Sequence, residues 1–124
     1  MEKQILKVKG EMDYDDKYDI LLFKASNRLY RKSIELDDVV LHFDPENRIM
    51  GVQIFDASEF LNLPKEALLK IPRWELKAIV NEGKIEIRLR LEVKVGNETV
   101  KTNPIVIQSL SDPLPDSELV CEMG

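Results

Sequence analysis

At 124 residues, 44% apolar and 33% charged, the chain is long enough for one domain to bury a core without staples. A net charge of −5 argues against nucleic-acid binding driven by overall charge, because phosphate contacts need a cationic face. The single cysteine excludes an intramolecular disulfide and a cysteine-based zinc site, and no segment is long and apolar enough to span a bilayer.

From its start the chain alternates charge with aliphatics and lacks the apolar run of a signal peptide, so a soluble cytoplasmic protein is expected. Residues 5–8 and 20–23 are short strand candidates around a polar, acidic turn, and residues 33–36 suggest another. Residues 39–43, Val-Val-Leu-His-Phe, are strongly β-prone. Asp44-Pro45-Glu46-Asn47 then makes a turn: Asp opens it, Pro fits its second position, and Asn tolerates the left-handed conformation that closes it. The chain returns over residues 49–55, where Gly51 implies a bulge or a close backbone approach.

A helix start follows. Asp56 with Glu59 fits a capping box, and Phe55 with Phe60 fits a hydrophobic staple. Two short helices are predicted, at about 57–62 and 64–70, separated by Pro64 and ended by Pro72.

The second half is dominated by period two. Residues 84–95 alternate charged and aliphatic side chains throughout, and residues 74–80 alternate except at Ile79. With Gly83 in the connecting turn, Val80 faces Ile85, Ala78 faces Ile87, Leu76 faces Leu89 and Trp74 faces Leu91. Glu75 then meets Arg90 and Arg73 meets Glu92, while Lys77 facing Arg88 is a like-charge clash. Gly96-Asn97 turns the chain into a third strand ending near residue 108 and broken by Pro104, an edge or bulge position. Residues 73–108 are thus expected as a three-stranded antiparallel meander. Residues 110–124, with two prolines and only acidic charge, are expected as an extended or disordered tail carrying Cys121 as an ordinary free thiol.

Charge is uneven along the chain. Residues 1–62 carry 13 acidic against 9 basic side chains, residues 63–109 carry 6 against 9, and residues 110–124 carry 4 against none. The basic middle segment is the one place an anionic partner could dock; its ordinary reading is a solvated sheet face.

The segment 13–23, with Tyr14, Asp15 and Asp19, followed by 44–58, with Asp44, Arg48, Gly51, Asp56, Ala57 and Ser58, resembles a small prokaryotic domain-of-unknown-function family, the one numbered two-two-eight-three. The resemblance spans about residues 11–61. Asn47 stands where the family has a turn glycine, Leu22 where tyrosine is usual, and Gln53 where glutamate is usual. It implies no established activity; the thought that some members lie beside small toxins would make the chain an antitoxin-like partner of a small basic protein.

Three candidate sites follow from the residues. Asp13, Asp15, Asp16 and Asp19, joined by Asp44 if the hairpins meet, could bind a divalent cation, although the glycine and terminal glutamate of a calcium loop are absent. Arg28, Arg31, Lys32 and Arg48 could contact a partner. His42 would need a serine such as Ser26, Ser33 or Ser58 and an acid to act in nucleophilic catalysis, and none of these serines has a nucleophile-elbow context. No cofactor is expected.

The resulting expectation is an α+β protein, mainly antiparallel sheet, with a single domain over 1–109. Trp74, Leu76, Leu89, Leu91, Val93, Ile54, Phe55 and Phe60 are expected in its core. Its most favoured function is a non-enzymatic protein-interaction module, with self-association through open strand edges as one form of it and no nucleic-acid or membrane partner expected. The alternatives are a weak metal-binding protein or metal-dependent hydrolase, and the antitoxin-like partner.

Overall fold

The computed structural model describes residues 4–26, 29–37, 39–111 and 114–123. In chain order the elements are β1 (Gln4–Asp15), β2 (Ile20–Ala25), β3 (Lys32–Leu36), β4 (Val39–Phe43), β5 (Ile49–Ile54), α1 (Ala57–Leu61), α2 (Lys65–Leu68), β6 (Arg73–Asn81), β7 (Lys84–Val95), β8 (Glu98–Thr102), β9 (Ile105–Ser109) and β10 (Ser117–Met123). The strands form one sheet in the order β3-β4-β5-β2-β1-β10-β6-β7-β8, with β9 pairing β7 beyond the end of β8. Every pairing is antiparallel except β1 with β10. The molecule is mainly antiparallel β with two short helices, and no helix among the described residues is long and apolar enough to cross a membrane.

Alternation sets the two faces of the sheet. In β7 the aliphatics Ile85, Ile87, Leu89, Leu91 and Val93 are buried, and the charged residues between them face water. Their partners Val80, Ala78, Leu76 and Trp74 are buried opposite them. The sheet curls around this apolar face: Leu36 and Val39 at the β3–β4 end, with Phe60 of α1, share one groove with Ile105 to Gln108 of β9. Trp74 packs on Phe23 with ring centroids 4.8 Å apart, tying β6 to β2 across the core.

Three expectations require correction. The third strand of the meander is two strands, β8 and β9, which keep one register on β7 through the break: Leu91 faces Thr102 and Arg88 faces Ile105. Pro104 interrupts the ladder because it has no N–H to give, yet its carbonyl still accepts from Leu89 N–H at 3.1 Å. Phe55 is 37% exposed rather than core.

The largest correction concerns the tail. Residues 117–123 form β10, which lies between β1 and β6 in the middle of the sheet, with Leu119 and Cys121 buried. The polar tail therefore belongs to the domain. Its acidic charge has a place there: Glu118 lies 3.7 Å from Lys77, relieving the Lys77–Arg88 clash across β6 and β7.

Gly51 meets the expectation of a close approach. A Cβ there would lie 2.9 Å from the Phe23 carbonyl oxygen, and the β4–β5 register shifts beside it, between His42 and Phe43.

Candidate functional site

The acidic turn after β1 is occupied by folding tasks. Asp15 Oδ1 accepts from the backbone N–H of Lys17 (3.0 Å) and Tyr18 (3.2 Å), closing an Asx turn. Asp19, at φ 57°, reaches across to the start of α1. Its carboxylate accepts from Ser58 N–H (3.0 Å) and Ser58 Oγ (2.6 Å), and from the Tyr14 hydroxyl (2.6 Å); its carbonyl accepts from Ala57 N–H (3.0 Å). So Asp19 caps α1 from a distant turn, and the capping box expected of Asp56 is corrected. Asp56 supplies only its backbone carbonyl, to Phe60, and makes no side-chain cap bond. Burial raises the Asp19 carboxyl's pKa, but the Ser58 and Tyr14 hydrogen bonds outweigh it and hold the group below the usual carboxylate value. Burial, then the Asp19 hydrogen bond and charge, push the Tyr14 phenol far up.

The Asp44 turn is a separate structure at the other end of β5. Ile54, beside Leu21, is where β5 meets the Asp15–Asp19 turn; Gly51, beside Lys24, leads back to the Asp44 turn. The strand between them keeps Asp44 apart from the N-terminal aspartates. Among the described residues no three carboxylate, histidine or cysteine groups converge on a metal position. Asp44 is 2% exposed and accepts from Glu46 N–H and Arg48 N–H, both at 2.9 Å. Arg48 lies 3.3 Å from Asp44 Oδ2 and 3.1 Å from Glu46, so it braces this turn. Arg31 donates to the Pro45 carbonyl at 3.2 Å and joins the same turn. Lys32 opens edge strand β3, and Arg28 lies outside the described residues. Of the three described, Arg31 and Arg48 are engaged by the Asp44 turn.

The outer face of β3–β5 carries a polar line absent from the sequence motifs. Tyr30 Oη and Ser33 Oγ are 2.6 Å apart, Ser33 Oγ lies 3.0 Å from His42 Nδ1, and His42 Nε2 lies 3.1 Å from Gln53 Oε1. His42 pairs with Gly51 on β5, and its imidazole reaches Gln53 two residues along that strand. With Gln53 Oε1 accepting from Nε2–H, the neutral imidazole accepts from Ser33 at Nδ1. Burial lowers the His42 pKa against the opposing effect of the Gln53 hydrogen bond.

The remaining feature is the edge formed by β9. Leu89 N–H bonds Pro104 O and Leu110 N–H bonds Gly83 O (2.7 Å), so even-numbered residues of this strand face β7. The N–H and C=O groups of Ile105, Ile107 and Ser109 therefore point away from it, and among the described residues no strand pairs with β9 there. Their side chains are exposed too, Ile105 at 55% and Ile107 at 64%. Residues 102–111 hold no charge, whereas β3 carries Lys32 and Glu35 and β8 carries Glu98 and Lys101.

Comparison with known proteins gives the following likenesses. The family model described as "Protein of unknown function (DUF2283)" matches residues 11–58, the span that holds Tyr14, Asp19, Asp44, Arg48 and Ser58. A protein of Methanosarcina mazei named "Putative hypoxanthine phosphoribosyltransferase" is 38% identical over 88 residues, covering 71% of this chain and 72% of that protein. An uncharacterized protein of Methanocaldococcus jannaschii is 29% identical over 85 residues, covering 68% and 73%. No solved structure matches the chain.

Proposed function

The chain belongs to this family of unknown function, and on that premise we propose that it is a non-enzymatic protein-interaction module that accepts an extended partner strand along β9. The observation that carries this reading is the unguarded edge. Proteins blunt exposed strand edges with charge, proline placed on the hydrogen-bonding side, or a covering element. On β9 the outward residues Ile105, Ile107 and Ser109 are uncharged, and Pro104 faces inward, so β9 itself carries no device against strand addition; the charge beside it is Asp37, across the groove.

Two enzymatic readings have less support. Ser33, His42 and Gln53 line up as a hydrolytic triad would, but a neutral amide stands where a carboxylate would stabilise the imidazolium, and Ser33 is exposed to water. The name of the Methanosarcina mazei relative would call for a phosphate cradle. The five glycines are scattered through the chain, and the first turn of α1 already holds the Asp19 carboxylate, which repels a second anion.

Titration of the labelled protein with a synthetic Val/Thr-rich extended peptide, followed residue by residue by NMR, tests the proposal. Shifts centred on Ile105, Ile107 and Ser109 are expected, weakened by Ile107→Lys. Slow exchange of those three amides in the free monomer, which would mean the edge is already covered, overturns it.

A further inference from the structure

Resting on that reading of the edge, we propose that the strand β9 accepts is the β9 of a second copy, antiparallel about a two-fold axis through Val106. The argument begins with backbone geometry. Ile105 and Ile107 both point their N–H and C=O outward. An axis at Val106 sets each Ile105 opposite the partner copy's Ile107, so both residues' outward groups exchange hydrogen bonds reciprocally. Two further reciprocal bonds arise because the pair occurs twice.

The side chains fit the same register. On the outer face four exposed isoleucines, two from each copy, become direct cross-strand neighbours, the pairing that β-branched residues favour. On the inner face the half-buried Val106 meets its own copy. The next outward pair is Asn103 with Ser109, both neutral, so copies that each carry −5 meet along an uncharged strand, with Asp37 across the groove beside it.

Other partners fit this strip less well. A basic protein, for instance, would find no acidic side chain on β9 and the single carboxylate of Asp37 in the groove beside it. The other edge segments, β3 and β8, place Lys and Glu where a copy would meet them, which disfavours the same pairing there. The strip is short beside a standard interface, so the dimer should form in the upper part of the accessible concentration range.

Sedimentation velocity of the full chain between about 10 µM and 1 mM, combined with amide exchange, is the test. The expected result is a monomer–dimer equilibrium in which the Ile105, Ile107 and Ser109 amides gain protection as dimer accumulates. Ile107→Lys, at an exposed position the fold does not need, should raise the dissociation constant at least about tenfold, because the two-fold axis applies the substitution twice. Val106→Cys should give an intermolecular disulfide on mild oxidation and Gln108→Cys should not, since residue 106 alone faces itself across the axis.

A monomer at every concentration with freely exchanging outward amides overturns the second copy while leaving the edge open to another strand. A monomer with those amides protected overturns both the copy and the docking edge. A dimer indifferent to Ile107→Lys overturns the proposed interface.

Discussion

Asp19 joins its own turn and the end of β1, through Tyr14, to α1, through Ser58 at 39 positions' distance. Replacing it by Ala removes a charged acceptor and a helix cap together, and should lower the unfolding free energy by about 2 kcal/mol in urea titrations. Its folded pKa lies below the unfolded value, so its contribution is complete above about pH 4 and is lost as pH falls through the lower, folded value. Asp19→Asn should accordingly show a flatter loss of stability with acid than the parent chain. His42 offers a second residue-scale test. Burial sets its pKa below the ordinary value, so the stability it contributes is present above about pH 6.5 and declines as pH falls. Gln53→Glu would place a carboxylate on Nε2 and favour the imidazolium. NMR titration should then find the His42 midpoint moved above the ordinary value; an unchanged midpoint would mean that the His42–Gln53 contact does not form in solution.

Elements built from neighbouring residues were legible in the sequence, and elements built from distant ones were not. The β6–β7 pairing needs only period two and a glycine turn, both visible in residues 74–95, and its pairs are those that alternation sets. The Asp44 turn is likewise local, because its acceptors serve amides within four residues. The cap of α1 is not legible locally, where Asp56 fits the pattern, because the true acceptor lies 39 positions from Ser58 on another hairpin. β10 reads as a tail from sequence because two prolines and four acidic residues in 110–124 outweigh a short alternation, Ser117, Leu119 and Cys121 inward with Glu118 and Val120 between. Its partner β1 is at the other end of the chain, and no local rule announces a parallel pairing of that range. That assignment gives Cys121 a measurable role. Fully buried on a central strand, its thiol pKa is pushed up to about 12 by burial. A thiol reagent should therefore label the native chain only through opening of β10, at a rate that falls as stability rises, whereas a tail cysteine would react at once.

At the scale of the whole molecule, β10 is the joint between two halves. β1 to β5 with α1 hold most of the span matched by the family model, β6 to β9 form the second half, and β1 and β6 are neighbours only through β10. The strand gives two ladders, one of seven pairs to β1 and one of six to β6, and carries Leu119 and Cys121 into the common core. Gly10 on β1 belongs to the same joint: a Cβ there would run into the Trp74 ring and lie 3.2 Å from Cys121 Cβ, so β1, β6 and β10 meet too closely for a side chain at that point. Charge acts in the same direction, since the acidic strand lies beside the basic second half through Glu118 and Lys77. Truncation after Asp116 would strip a backbone edge from both halves at once and expose the apolar faces they share. Burial of two apolar side chains at about 2 kcal/mol each, with two ladders lost, is comparable to the entire stability of a small domain. The truncated chain should therefore lose its cooperative thermal transition and its dispersed amide spectrum. A cut after Ser109 that left a cooperative fold would show instead that the first 109 residues suffice, and that β10 only lies against them.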